Sequence, residues 1–318
     1  MPARMTVLTT PSELAAIAPE WLDLCRRTPG TTPFQTPMWL LPWWKHFGSD
    51  ELAVIRSADA LAPLYIVRDE EESLGMFLGT GNSDYLDVVG DATSIVGELA
   101  ALDCQMWDLQ QLRPSSPMLS VAPPDGWSDS TADHDLCVVL PIAGAGAELE
   151  HLISTHFRKK IRYYRRALSR LGEVRVEAAT PSTLDELLDA LFVLHAARWR
   201  QRNLPGVLAD DAVQAFTREA ARGMLDAGAL RMYATRIDDR VAAVFYGFAL
   251  GDTAYYYLSG FDPALEKLSI GTLLVAHAIE EAVRDGAAAF DFLRGAEEYK
   301  YAWGARDRMN QRRQLFRA

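Results

Sequence analysis

Cysteine is scarce. The chain of 318 residues holds three (Cys25, Cys104 and Cys137), far apart and without a Cys-x-x-Cys pair. That excludes a disulfide scaffold or a zinc knuckle, fits a reducing cytosol, and leaves no metal to be expected. Long apolar runs are missing as well. No uncharged stretch reaches the ~18 residues that a membrane span needs. The N-terminal MPARMTVLTTPSELAAIAPEW lacks an apolar core of the signal-peptide kind. Cations are outnumbered: 32 Lys+Arg face 43 Asp+Glu, giving a net charge of −11. This balance argues against a DNA-binding or general nucleic-acid-binding role. The expectation is a soluble cytoplasmic protein.

The rest of the composition, 49% apolar and 24% charged, belongs to an ordinary folded chain of one large domain or two of roughly 150 residues. Its elements fall into two halves of similar plan, 1–145 and 146–318, each an α/β (α+β) arrangement of a mixed, mainly antiparallel sheet flanked by helices. In the first half a helix over 11–27 precedes the aromatic stretch TPFQTPMWLLPWWKHFG. Strand-like runs follow at 51–57, 61–68, 74–79 and 85–89, then a helix over about 93–112 and strands at 118–121 and 136–140. APPDGWSDSTADHD, rich in Pro, Gly, Asp and Ser, reads as a loop, and PIAGAGAE (141–148) as a linker. Trp39, Trp43, Trp44 and Phe47 suit either packing between the halves or stacking on sugar rings.

The second half opens on a legible helix. Phe157, Ile161, Tyr164, Leu168 and Leu171 form one apolar stripe. Between them lie Arg158, Lys159, Lys160, Arg162, Arg165, Arg166 and Arg170 with no acid; without these seven cations the chain would stand at −18. The face is either solvated with its own ion pairs or a platform for an anion such as tRNA, a diphosphate sugar or a signalling nucleotide. Gly172 is placed to end the helix. A strand at 173–179 leads to a long helix, capped by Thr180 or Ser182, that carries His195, Arg198 and Trp199.

LRMYATRI (230–237), VAAVFYGFAL (241–250) and TAYYYLSGF (253–261) are strands joined by connections so short that they form an antiparallel meander. A loop, DPALEKLSIG, then a helix ending at Gly286, then FDFLRG (290–295) make a right-handed crossover, which lays FDFL parallel to a strand of the sheet. The loop-to-helix junction is where an anion would bind, on free N–H groups at the positive end of the helix. Lys267, Ser269, Ile270, Gly271 and Thr272 surround it; a capped helix without a ligand is the plainer alternative.

FQTPMWLLPWW, FRKKIRYYRRALSRLG, LHAARW, EKLSIGTLL and DGAAAFDFLRGAEEYKYAWG, in this order along nearly the whole chain, resemble the GNAT acyltransferase superfamily. The likeness is greatest to its polysaccharide-associated branch, the cellulose-biosynthesis (CelD/BcsL-type) acetyltransferases, related to the FemABX transferases. The resemblance implies two tandem GNAT-like units: an N-terminal one that is non-catalytic and walls the acceptor cleft, and a C-terminal one that binds acetyl-CoA or a longer acyl-CoA. One departure stands out. The family's donor loop is Gln/Arg-x-x-Gly-x-Gly/Ala, and Ser269 replaces its first glycine. In the first half VVGDATSIVGEL puts Asp91 at the helix start, where a carboxylate would compete with phosphate, so the donor is assigned to the second half, with Ser259 added to the loop residues.

The reaction so implied is attack of an amine on an acyl thioester, where TAYYYLSGF and FDFL part. Asp291 is a candidate base, or else pairs with an Arg or caps an amide. Tyr299 is a candidate acid, or else a buried structural tyrosine, and Glu297 and Glu298 are alternative bases or plain surface. His195 is suited to proton transfer or to the core. Arg198, Trp199, Tyr257 and Lys300 are assigned to the substrate, with packing or solvation as the alternative for Arg198, Trp199 and Lys300; His277 reads as structural. Three functions follow: an acyl-CoA-dependent acyltransferase acting on an amino sugar or other small acceptor, a FemABX-like enzyme using aminoacyl-tRNA, and a binding protein that kept the fold without the chemistry.

Overall fold

The computed structural model describes residues 5–70, 72–144, 149 and 152–317. Its first strands and helices are β1 (Thr6–Leu8), α1 (Pro11–Ala16), α2 (Ala18–Arg27), α3 (Pro37–Phe47), β2 (Glu51–Leu52), β3 (Val54–Arg56), β4 (Ala60–Ala62), β5 (Leu64–Arg68), β6 (Ser73–Phe77), β7 (Val89–Gly90), α4 (Ala92–Leu99), β8 (Met106–Leu112) and β9 (Trp127–Pro141). There follow α5 (Thr155–Leu168), β10 (Val174–Ala178), α6 (Leu184–Arg200), α7 (Asp211–Asp226), β11 (Leu230–Ile237), β12 (Arg240–Leu250), β13 (Thr253–Phe261), α8 (Ile270–Arg284), β14 (Ala289–Arg294), α9 (Glu298–Tyr301) and β15 (Arg306–Arg317). The chain divides into two compact units, Met1–Cys137 with Arg308–Ala318, and Val138–Asp307. Composition put the break at 145/146 and kept the C-terminal strand with the second half. It lies instead eight residues earlier, and β15 returns to the first unit.

In the first unit β1, β3, β4 and β7 form a small antiparallel sheet. A second sheet joins β15, β8, β6, β5 and β2, with β8 and β6 parallel. Trp39 and Trp43 are buried in this unit and donate to Ser83 (2.9 Å) and Asn82 (3.0 Å), so they serve its core. The helix expected over 93–112 stops at Leu99, and 106–112 is a strand, because the Trp107 ring lies across Gly75 of β6 and fixes the segment by cross-strand packing. The expected strand at 118–121 is a single 3-10 turn capped by Ser116, and of 85–89 only Val89 enters a strand. The expected loop before 136 is the first part of β9. Its acids hide a strand because they pair across to β15, as Asp129 does with the buried Arg313 (2.7 Å) and Asp133 with Gln311 (2.7 Å). Of the expected linker, 145–148 lies outside the described residues.

The second unit is one mixed sheet, β10-β11-β12-β13-β14 with the end of β9 beside β14. The meander forms as read. Ile237 pairs with Arg240 and Leu250 with Thr253, leaving two-residue turns that pass through positive φ at Asp238 (52°) and Gly251 (60°). β14 runs parallel to β13 after the α8 crossover. Ser154 caps α5, whose Ile161 and Leu168 are buried. That helix ends at Leu168, ahead of Gly172, whose missing Cβ leaves room for the Asp238 carboxylate 2.6 Å from where it would stand. Thr183, not Thr180 or Ser182, is the N-cap residue of α6, and its hydroxyl accepts from the Thr180 N–H (2.9 Å). The helix α7 had not been expected. It buries Phe216, Ala220, Ala221 and Met224, and starts at Asp210, which caps it.

Helix α6 meets β13 backbone to backbone at Gly260, where a Cβ would stand 2.7 Å from His195 N and 2.9 Å from Leu191 O. Neither backbone atom can move without shifting the helix. Gly260→Ala is therefore expected to cost about 1–3 kcal/mol, read as a lowered midpoint in urea unfolding. An unchanged midpoint would show that α6 is free to lift away from the sheet.

Candidate active site

β13 and β14 pair only through Thr253–Ala289, Ala254–Phe290 and Tyr255–Asp291. Beyond Tyr255, β13 continues to Phe261 against β12, so one edge of it is released from β14. The sequence anticipated a parting here. Two residues past the last pair, and still within β14, Leu293 takes a left-handed φ of 59°. The Asp291 carboxylate accepts the Leu293 N–H at 2.8 Å, and the Lys300 ammonium donates to the carbonyls of Leu293 (3.3 Å), Arg294 (2.6 Å) and Gly295 (2.9 Å) while pairing with Glu297 (2.9 Å).

Two assignments are corrected by this knot. Asp291 is wholly buried and holds the Leu293 amide at its left-handed turn of backbone, as its amide-capping alternative had it. Lys300, 2% exposed, is neither a substrate group nor a solvated lysine. It has the carbonyls and the carboxylate that a buried cation requires. Glu297 is engaged with it, and Glu298 lies exposed in the first turn of α9.

What the knot positions is Tyr299. Its ring is 40% exposed, but its hydroxyl is desolvated and hydrogen-bonded to Tyr256. Tyr256 in turn shares a hydrogen bond with Ser259. In a regular strand residues three apart face opposite sides. A bulge makes the contact possible: Tyr246 pairs with Leu258 and Gly247 with Tyr256, so Tyr257 is the extra residue and Ser259 comes round to the face of Tyr256. Burial pushes both phenols above the usual tyrosine range, so they remain protonated donors at neutral pH. The Arg198 guanidinium acts on both electrostatically and lies 4.9 Å from the Phe261 ring centre. Sequence reasoning named Ser259, Tyr299 and Arg198 and did not name Tyr256. It chose Tyr257, which packs on Tyr246 and Phe248 instead (6.0 and 5.9 Å between ring centres). Only a reading that located the bulge would have chosen between them.

The chain then passes from Phe261 through a 3-10 turn (Pro263–Leu268) into α8. Ser269, Gly271 and Thr272 are half-buried, Lys267 is exposed, and the Ile270 side chain is in the core, leaving its backbone N–H as what it can offer. No side chain caps α8, and no acid lies in its first turn. Its first amides therefore present the anion-binding end of a 15-residue helix. Gly271 lets this end approach the Phe261 ring, which a Cβ would meet at 3.1 Å. Ser269 sits at φ 50°, ψ 39°, a left-handed conformation that glycine adopts without cost. The loop thus keeps the backbone shape that a glycine would give it.

His195 and Trp199 stand one turn apart on α6. Trp199 donates its indole N–H to His195 Nε2 at 2.8 Å, which puts the imidazole proton on Nδ1, and Nδ1 is buried without a partner. Burial lowers the His195 pKa to about 4, with Arg198 contributing. The ring is neutral with its basic nitrogen occupied, so it holds Trp199 and takes no proton from an acceptor. Trp199 is covered by Gly206, where a Cβ would meet its ring at 2.7 Å, and by Arg202, 5.6 Å from its ring centre. His277 packs edge-on to Tyr233 (5.0 Å) near Glu281 (3.7 Å), the structural place expected for it. A hollow of about 120 Å³ among Phe245, Ala278, Ala282 and Phe290 lies toward the opposite end of α8 and holds none of these groups. Among the described residues no three metal-ligating side chains gather, and no helix is long and apolar enough to cross a membrane.

Residues 155–301 match the model of the acetyltransferase (GNAT) domain. The segment is similar to this domain, which marks the chain as an acyltransferase; GNAT domains in general use an acyl-CoA co-substrate. A search of curated proteins found no match. Among solved structures, the fold is similar to a conserved protein of unknown function from Bacteroides thetaiotaomicron (TM-score 0.67, 11% identity, covering 98% of this chain and 100% of that one). It is also similar to FemX (0.66, 10%, 98% and 96%) and to L-PGS from Bacillus licheniformis (0.58, 13%, 97% and 92%). At such identities the likeness is one of fold.

Two outcomes are expected from this geometry. Ser269→Gly relieves a left-handed serine and should stabilise the protein by about 0.5–1 kcal/mol in urea unfolding; a loss would mean that the serine side chain is held. His195 binds its proton less readily folded than unfolded. Its contribution is therefore full above about pH 6.5 and is lost as pH falls toward about 4. Across that window the wild type should lose about 3 kcal/mol more than His195→Gln; parallel pH profiles would contradict the buried neutral imidazole.

Proposed function

We propose that the GNAT domain transfers an acyl group from acyl-CoA to the amine of a small acceptor, such as an amino sugar of polysaccharide assembly. The observation that carries the reading is the parting of β13 and β14 next to the uncapped start of α8, with three hydroxyls in a row at the parting. The amides of Ile270, Gly271 and Thr272, with Lys267 beside them, would bind the donor's diphosphate. The thioester would then reach the released edge of β13, where backbone N–H groups stabilise the charge developing on the carbonyl oxygen.

In this reaction the amine nitrogen forms the new C–N bond as the C–S bond breaks. Tyr299 gives its proton to the leaving sulfur and is reprotonated from solvent by way of Tyr256 and Ser259, while the proton shed by the amine goes to solvent. Arg198 steadies negative charge along this row. The first unit is assigned no donor site of its own. Its α4 begins at Asp91, whose carboxylate already accepts the Thr93 N–H (3.0 Å) where a phosphate would have to sit.

Calorimetric titration with acetyl-CoA tests the donor site. Binding is expected, and Lys267→Glu should weaken it at least tenfold; no binding at millimolar acetyl-CoA overturns the reading. Tyr299→Phe should lower kcat for thiol release by about 10²-fold with acetyl-CoA affinity retained. An unchanged kcat would remove Tyr299 from the reaction.

A further inference from the structure

The cations of α5 play no part in the chemistry above, and most are not used by the fold. Lys159, Arg162 and Arg166 follow one another at intervals of three and four residues, with Tyr163 among them, on one stripe of α5, and Arg170 comes two residues past the helix end. They line a surface hollow of about 360 Å³ whose other wall residue is Ala167, with no carboxylate. All five side chains are exposed, Tyr163 at 66%. Among the described residues none of the four cations forms an ion pair, whereas their neighbour Arg165 binds Glu280 at 2.6 Å. In a chain of net charge −11, carboxylates to neutralise such a face are plentiful, yet among the described residues none pairs with it.

We infer that this face is a binding site for a nucleotide bearing two or three linked phosphates. Arg162 and Arg166, one turn apart and about 5–6 Å from each other, would grip the phosphates from both sides, with Lys159 and Arg170 at the ends of the row. Tyr163, standing between the two arginines, offers one flat face for one base. A single ring and a short row of cations suit a mononucleotide. An extended polyanion fits less well, because outside this helix the chain carries −18, which repels an RNA strand or an anionic bilayer wherever it runs past the row. A bilayer would also find no apolar wedge, since the helix turns Ile161 and Leu168 into the core. The inference does not rest on the acyl-donor assignment.

The test titrates the full chain with ATP, with inorganic tripolyphosphate, with a 20-nucleotide RNA and with phosphatidylglycerol vesicles. ATP should bind once per chain, more weakly as salt rises. Arg162→Glu with Arg166→Glu should lose at least tenfold in ATP affinity, with an unchanged melting temperature showing that the fold is intact. Tyr163→Ala should lose about fivefold for ATP and nothing for tripolyphosphate. Lys267→Glu, which alters the proposed donor loop, should leave ATP binding as it was, so that failure of either site is seen separately. The inference is overturned if ATP does not bind at millimolar concentration, if the double variant binds it equally well, or if RNA or vesicles occupy the face while ATP does not.

Discussion

Strand β14 stays with β13 for only three residue pairs, and the rest of the site depends on that brevity. Past the last pair a left-handed residue interrupts the regular backbone of the strand, and the buried carbonyls and amide there must be satisfied. Here partners close in sequence do so. Asp291 takes the amide of Leu293, and Lys300 collects the carbonyls of residues 293–295. The charges that resembled catalytic groups in the sequence do structural work instead. They hold β14 away from β13 and fold the following turn so that Tyr299 faces Tyr256.

The same economy recurs at the other irregularities. A bulge at Tyr257 brings Ser259 to the side of Tyr256; without it the hydroxyl row would be split across the two faces of the sheet. Ser269 keeps a left-handed backbone at the entrance to α8, so the loop retains its shape even though its residue is unsuited to it. Gly260 and Gly271 permit close approach, one of α6 to the sheet and the other of α8 to Phe261. Each device sits on or beside β13, and together they place a helix N-terminus, a released strand edge and proton donors within one short stretch of chain.

Regular elements were legible in the sequence wherever a single period ran unbroken. The stripe of α5, the three strands of the meander and the crossover to β14 formed as the patterns of apolar residues and the two-residue turns required. Elements were misread where tertiary partners supplied what local pattern lacked. β9 looks like a loop because its Asp and Ser residues gain their partners from β15, nearly two hundred residues away, and 106–112 is a strand because Gly75 receives Trp107.

The sequence by itself determined the meander and crossover of the second unit, the position of the uncapped helix start and the existence of a cationic face on α5, because each depends on residues close together in the chain. Which polar groups are available for chemistry was decided only by the tertiary structure. Whether Asp291, His195 and Lys300 are reactive or structural depends on burial and on partners that packing brings to them, and Tyr256 enters the site through a bulge that no local signal marks.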